Sequence, residues 1–143
     1  MKPEEFLQKS KIPTRVMPTE ASMYEEIAQI MVDTIVKNGD GQTVIICPVG
    51  PIGQYPIFAE KVNALNLSLK NCWFINMDEY LNDDGSYIDK DHPLSFRGGM
   101  ERTFYNLIDD ELNVLPENRH FPIPGEEHKV MELIEKAGKL DMA

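Results

Sequence analysis

Two short apolar runs, Val44-Ile45-Ile46-Cys47 and Cys72-Trp73-Phe74-Ile75-Asn76-Met77, restrict the possible folds of this chain more than any other feature. Neither alternates apolar with polar residues, as a strand with one wet face would, so each reads as a strand buried on both faces. Between them lies a turn, Pro48 to Gly53, and a helix-length segment, Tyr55 to Leu65, whose Pro56 is tolerated in the first turn. Strand, helix and strand in that order imply a parallel pair joined by a right-handed crossover. The expectation is an α/β fold: a Rossmann-like parallel sheet with helices on both faces.

The rest of the chain fits that plan. Apolar residues at Met23, Ile27, Ile30 and at Tyr24, Ala28, Met31, Ile35 predict an amphipathic helix ending at Asn38-Gly39, its methionines packing in the core. A polar loop runs from Asp78 to Pro93, a helix is expected from Phe96 to Leu107 despite Gly98-Gly99, and a short third strand from Arg119 to Ile123. A helical stripe at Val130, Leu133, Ile134 and Ala137 predicts a helix from Glu126 to Ala137, and Lys139 to Ala143 reads as the start of a fourth strand. The 143 residues suit one domain, with the sheet cut off after three to four strands.

Charge and cysteine usage narrow the function classes. With 24 acidic against 14 basic residues, the formal charge of -10 opposes nucleic acid and anionic membrane surfaces, both of which need a positive patch. Cys47 and Cys72 each sit within an apolar run and are expected to be buried reduced thiols rather than metal ligands or a disulfide. No apolar run is long enough for a bilayer, and Met1-Lys2-Pro3-Glu4-Glu5 does not open a signal peptide, so a cytoplasmic location is expected.

The candidate chemistry lies where the second apolar run ends in Asp78-Glu79. A carboxylate pair at the carboxyl end of a buried strand stands where open α/β sheets bind ligands. Asp78 can abstract a proton from carbon beside a carbonyl if partial burial holds its pKa near working pH; the plain alternative is a helix cap or a solvated pair. His92 can act as an acid, orient the loop or cap the following helix. The loop Pro48-Val49-Gly50-Pro51-Ile52-Gly53 precedes a helix N-terminus, a setting for an anion, although a simple tight turn uses Gly50 and Gly53 equally well. Asn82-Asp83-Asp84-Gly85 invites a calcium reading. Placing Gly85 at the sixth loop position puts Tyr80 at the first and Asp91 at the twelfth, so the bidentate Glu is missing and no metal is expected. His120 and His128 read as packing or surface residues.

The segment Phe74-Ile75-Asn76-Met77-Asp78-Glu79-Tyr80, followed by Asp91-His92-Pro93-Leu94-Ser95-Phe96, resembles the F-N-M-D-E-Y…D-H-P-x-S-[YF] signature of glucosamine-6-phosphate deaminases, also called glucosamine-6-phosphate isomerases. A looser likeness extends from about Thr19 to the C-terminus. The resemblance implies an enzyme without cofactor or metal that converts a phosphorylated amino sugar, glucosamine 6-phosphate, to fructose 6-phosphate and ammonia. It implies that Asp78 moves the proton between C1 and C2 through an enolamine-like intermediate. It also implies that Pro48, Val49, Gly50, Pro51, Ile52, Gly53, Glu79, Tyr80, His92 and Phe96 lie against the substrate.

Departures from the family pattern qualify these expectations. The family loop reads approximately P-T-G-S-T-P; here Pro51 removes an N–H donor and Ile52 a hydroxyl. Leu81 to Lys90 is longer than its counterpart, and Phe96 replaces a frequent tyrosine. The family's G-G-x-G-x-[DN]-G-H-I-A-F-N-E-P segment, which carries the ring-opening histidine, is not in this sequence. Residues 1–143 are therefore expected to be the N-terminal part of a longer isomerase or deaminase domain and inactive alone. The expected state is a homo-oligomer, because a sheet cut at its fourth strand leaves apolar surface bare. A sugar-phosphate sensor of the same fold, which needs no base, is the rival expectation.

Overall fold

The structure, a computed structural model, describes residues 2–143. Its centre is a parallel sheet of order β1-β2-β3, comprising β1 (Thr43–Cys47), β2 (Cys72–Asn76) and β3 (Arg119–His120). The register pairs Ile45 with Phe74 and Cys47 with Asn76, so the first two strands end side by side. The helices are α1 (Pro3–Lys9), α2 (Glu20–Asn38), α3 (Gln54–Leu65), α4 (Phe96–Thr103) and α5 (His128–Ala137).

Pleating divides the strands into two faces. Ile45 and Cys47 of β1 and Cys72 and Phe74 of β2 belong to one core cluster with Met31 and Ile35 of α2, Phe58 and Val62 of α3, and Met100 and Phe104 around α4. Phe104 stacks on Phe74 at 5.3 Å between ring centroids and on Phe58 at 5.5 Å; such pairs contribute about 0.5–1.5 kcal/mol each beyond the area they bury. The other face carries Val44, Ile46, Trp73, Ile75 and His120. Helix α5 lies over it, with Lys136 Nζ 5.8 Å from the Trp73 ring centroid. This face is thinly covered: Ile46 and Trp73 are only half-buried, and no residue of α5 is buried. The expected α/β class is present, with three helices on one side and one on the other.

Several boundaries differ from expectation for identifiable reasons. The helix expected over 96–107 stops at Thr103; Phe104 leaves helical geometry at φ -137°, a 3-10 turn covers Tyr105–Leu107, and Phe104 and Tyr105 both enter the core. The third strand pairs only at Arg119 and His120, because Pro122 and Pro124 have no N–H to continue a ladder. The last helix starts at His128 rather than Glu126. Helix α1 was unexpected, although acids in its first turn and Lys9 in its last complement the helix dipole.

The fourth strand is present as a bridge on the outer side of β1. Met142 pairs parallel with Ile45, Ile46 N–H donates to the Met142 carbonyl at 2.9 Å, and Asp141 N–H donates to that of Val44 at 2.9 Å. The Asp141 carboxylate accepts from Val44 N–H at 2.8 Å and from Asn38 Nδ2 at 3.1 Å. Cys47 and Cys72 are buried free thiols, as expected, and burial pushes the Cys72 thiol up to about 12.

Candidate functional site

Because β1 and β2 end together, the segments 48–53 and 77–93 emerge side by side at the carboxyl edge of the sheet. Asn76, fully buried, ties that edge to β3 by donating from Nδ2 to the His120 carbonyl at 3.1 Å. Two residues later Asp78 is exposed, lining a cleft of about 190 Å3 with Met77, Leu81, Tyr87 and Pro122. The partial burial expected for Asp78 is thus absent here. Among the described residues its carboxylate accepts no hydrogen bond, leaving both oxygens open to solvent.

Glu79 behaves in the opposite way. Its side chain is 1 % exposed. Oε1 accepts from the backbone N–H of Tyr80 at 2.8 Å and Phe96 at 2.9 Å; Oε2 accepts from Ser95 Oγ at 3.0 Å, Arg97 N–H at 2.8 Å and Arg97 Nε at 3.1 Å. Burial pushes this carboxyl up, but the donors from Arg97, Phe96, Tyr80 and Ser95 together hold it below the ordinary carboxylate range. Both Glu79 oxygens are occupied by donors from Tyr80 and the N-terminus of α4, and they fasten the 78–80 turn to that helix.

The remaining candidates divide between places. Val49, Ile52, Tyr80 and Phe96 converge on a second cleft of about 240 Å3, where the Tyr80 ring lies 5.1 Å from that of Phe96. Arg102 and Thr103 of α4 share this cleft; no motif in the sequence marked them, because their side of α4 becomes a wall only once the loop after β1 packs there. Pro48 accepts from the Tyr55 hydroxyl, Pro51 accepts from Gln54 Nε2 at 2.8 Å, and both line an apolar cavity behind the loop. Gly50 is exposed, and Gly53 packs on the Tyr24 ring, where a Cβ would collide. Among the described residues the amides of Gly50, Ile52 and Gly53 have no bonded acceptor, so the loop retains donors for an anion despite Pro51. His92 stands apart from both clefts, exposed, its Nδ1 accepting from Leu94 N–H at 3.1 Å within a turn, while Ser95 caps α4.

The long loop is ordered by its own polar groups. Leu81 and Tyr87 form an antiparallel bridge, and Asp84 Oδ1 accepts from Ser86 N–H at 2.9 Å and from its hydroxyl at 2.6 Å, while Gly85 takes φ +81°. The acidic run is a turn. Among the described residues no three His, Cys, Asp or Glu side chains gather where they could hold a metal. Arg97 Nη2 donates to the Ile88 carbonyl at 2.6 Å, and Gly98 lets α4 approach the loop so closely that a Cβ there would run into the Lys90 carbonyl oxygen. Gly98→Ala is expected to destabilise by about 2–3 kcal/mol, since backbone and not a side-chain tip must move. Urea denaturation against a Gly99→Ala control, whose Cβ meets only Val49 Cγ1 at 3.5 Å, is the measurement; equal losses would remove this role for Gly98.

These features define an open, parallel α/β sheet with clefts at the carboxyl ends of its strands, where such sheets bind ligands. No family model and no curated protein matches the chain. Among solved structures it is similar to a monomeric glucosamine-6-phosphate deaminase described as a missing link of the NagB superfamily, with a TM-score of 0.71 and 24% identity over 87% of this chain and 51% of that one. The chain thus has that protein's fold and spans about half its length. No helix among the described residues is long and apolar enough to cross a membrane.

Proposed function

We propose that this chain belongs to the glucosamine-6-phosphate deaminase family and carries the proton-transfer half of its site. The observation that carries this reading is the position of Asp78: the acid of the Phe74 to Tyr80 signature stands at the carboxyl edge of the sheet, unbonded, in the fold of a deaminase. In this reading the Asp78 carboxylate removes the proton from C2 of the opened amino sugar, the electron pair moves into an enolamine across C1 and C2, and the carboxylic acid returns the proton to C1. Water then adds to the C2 iminium so formed, and loss of ammonia from the carbinolamine leaves fructose 6-phosphate. The free amides of Gly50, Ile52 and Gly53 face the phosphosugar, and Tyr80 and Phe96 shape the cleft mouth, with His92 outside it in the turn before α4. The enzyme works in the cytoplasm.

A sugar-phosphate sensor is the second reading, favoured by Pro51 and the exposed Ile52, which thin the donors of the loop. Deuterium uptake at C2 of glucosamine 6-phosphate in D2O, followed by NMR with the gene's complete product, separates the two. A base predicts uptake; a sensor predicts binding without it. Protein that neither binds nor exchanges sinks both.

Self-association belongs to the same proposal, although the similar deaminase is monomeric. Half-buried Ile46 and Trp73 leave apolar surface on the thinly covered face. Light scattering behind a sizing column is expected to show a discrete oligomer of residues 1–143, and a 16.3 kDa monomer across micromolar concentrations would end the idea.

A further inference from the structure

We propose that the cavity between α5 and the β3 edge of the sheet is a second binding site, for an organic anion with an apolar body. The cavity encloses about 540 Å3 and adjoins another of about 300 Å3, and Arg97, Arg119 and Phe121 line both. Small-molecule sites typically span roughly 300–1,000 Å3, with apolar walls and a few convergent polar groups. Here the walls are Phe121, Ile123, Val130 and Leu133. The space exists because α5 follows the Pro122 to Gly125 turn and stands off the sheet, burying none of its residues.

The cavity wall also carries Glu132, one turn from Lys136 on α5 and 3.9 Å from His128 Nε2, which offsets part of the positive charge; the cations are of two kinds. Lys129 is paired with Glu126, Lys90 with Glu101 and Arg97 with Glu79, so these cations are largely compensated. Arg119 and Lys136 have no carboxylate partner among the described residues. The Arg119 guanidinium is held in place: Nε and Nη2 both donate to the Val114 carbonyl, at 2.9 and 2.7 Å, and its Cζ lies 4.2 Å from the Tyr105 ring centroid. Among the described residues Nη1 has no protein acceptor. A fixed, partly desolvated guanidinium facing an apolar-walled space is a strong donor to a carboxylate, sulfonate or phosphate.

Two side chains bordering the cavities carry buried polar atoms. Among the described residues His120 Nε2, beside the larger cavity, and the Tyr105 hydroxyl, beside the smaller one and next to Asn76, have no hydrogen-bond partner; both atoms are closed to solvent and lie behind the cavity walls. Burial, and then Lys136, hold His120 below its ordinary pKa, so the ring is neutral and lacks a hydrogen-bond partner rather than a counter-charge. Unsatisfied buried groups of this kind are uncommon in native proteins. The site does not use Asp78, and it stands whether or not Asp78 is a base.

Anilinonaphthalene sulfonate, an apolar anion, is the probe. Trp73, the only tryptophan in the chain, contacts His120 at 5.6 Å between ring centroids and reports occupancy by energy transfer. Saturable binding of one probe per chain is expected, weakened about tenfold in Lys136→Gln and in Arg119→Gln, as for loss of a hydrogen bond to a charged group. The uncharged N-phenylnaphthylamine is expected to bind at least about tenfold more weakly than the sulfonate on the same grounds. Arg119 braces the Val114 turn and its variant can lose structure; Lys136 is solvent-accessible on α5, so Lys136→Gln decides alone. Unchanged affinity in Lys136→Gln, or equal affinity for the neutral probe, would reduce the cavity to an apolar groove and overturn the proposal.

Discussion

Replacing Glu79 with alanine is expected to cost about 3–5 kcal/mol of folding stability, the range for removing one member of a buried, hydrogen-bonded charge pair. The change strips an acceptor from three backbone N–H groups, the Ser95 hydroxyl and the Arg97 guanidinium, whose side chain is only 19 % exposed. A typical domain has only about 5–15 kcal/mol in all. Glu79→Gln keeps the shape but turns an NH2 toward N–H donors, so it is expected to cost nearly as much.

The acid response distinguishes charge from shape. The folded-state pKa of Glu79 lies below its unfolded value near 4.5, so its contribution is present above that pH and is lost as pH falls through the folded value. Urea midpoints of the wild type should therefore fall from about pH 4.5 downward. Glu79→Gln should start lower and fall less. Some slope remains in either protein, because Asp141, although burial pushes it up, is held below its ordinary range by Val44 N–H, Asn38 and Lys139. Identical slopes would mean that the Glu79 carboxylate is not the source.

Asp78→Asn is expected to do the reverse: to lower turnover by about 10²–10⁴, as loss of a single general base does, while leaving stability within about 0.5 kcal/mol. The substitution is isosteric, the residue is exposed, and no protein donor depends on it. Rates of ammonia release and of C2 exchange in the complete gene product, set beside urea midpoints, test both halves. Near-normal exchange would falsify the assignment. Two neighbouring carboxylates, one spent on the protein and one left free, make a sharp internal comparison.

Much of this arrangement was legible in the sequence, for reasons that particular residues show. Val44 to Cys47 and Cys72 to Ile75 are continuous apolar runs, short and rich in β-branched and aromatic residues, as strands of a sheet interior are; α2 and α3 carry the helical period over enough residues to override local noise. The break at Phe104 was not legible, because it answers to rings contributed by Phe58 and Phe74. Nor was the split between Asp78 and Glu79: an acidic pair looks equally solvated in a sequence, and the groups that bury Glu79 lie 16 to 18 residues away at Ser95 to Arg97. The division of Asp78 and Tyr80 between two clefts depends on the same latch. Arg102 entered the site through packing alone.

The Asp141 clasp sets the order in which this chain assembles. It joins residues 97 apart in sequence, whereas α2, β1, α3 and β2 are near neighbours whose contacts need only short loops to close. The entropy of closing a loop grows with its length, so the C-terminal segment is the last piece to reach the sheet. Until it does, the outer edge of β1 offers the N–H groups of Val44 and Ile46 and a row of apolar side chains to any other strand in reach. The native molecule covers that edge, so its hazard is a matter of timing: association through β1 competes with the arrival of residues 140–142, and conditions that slow this last step favour the wrong partner.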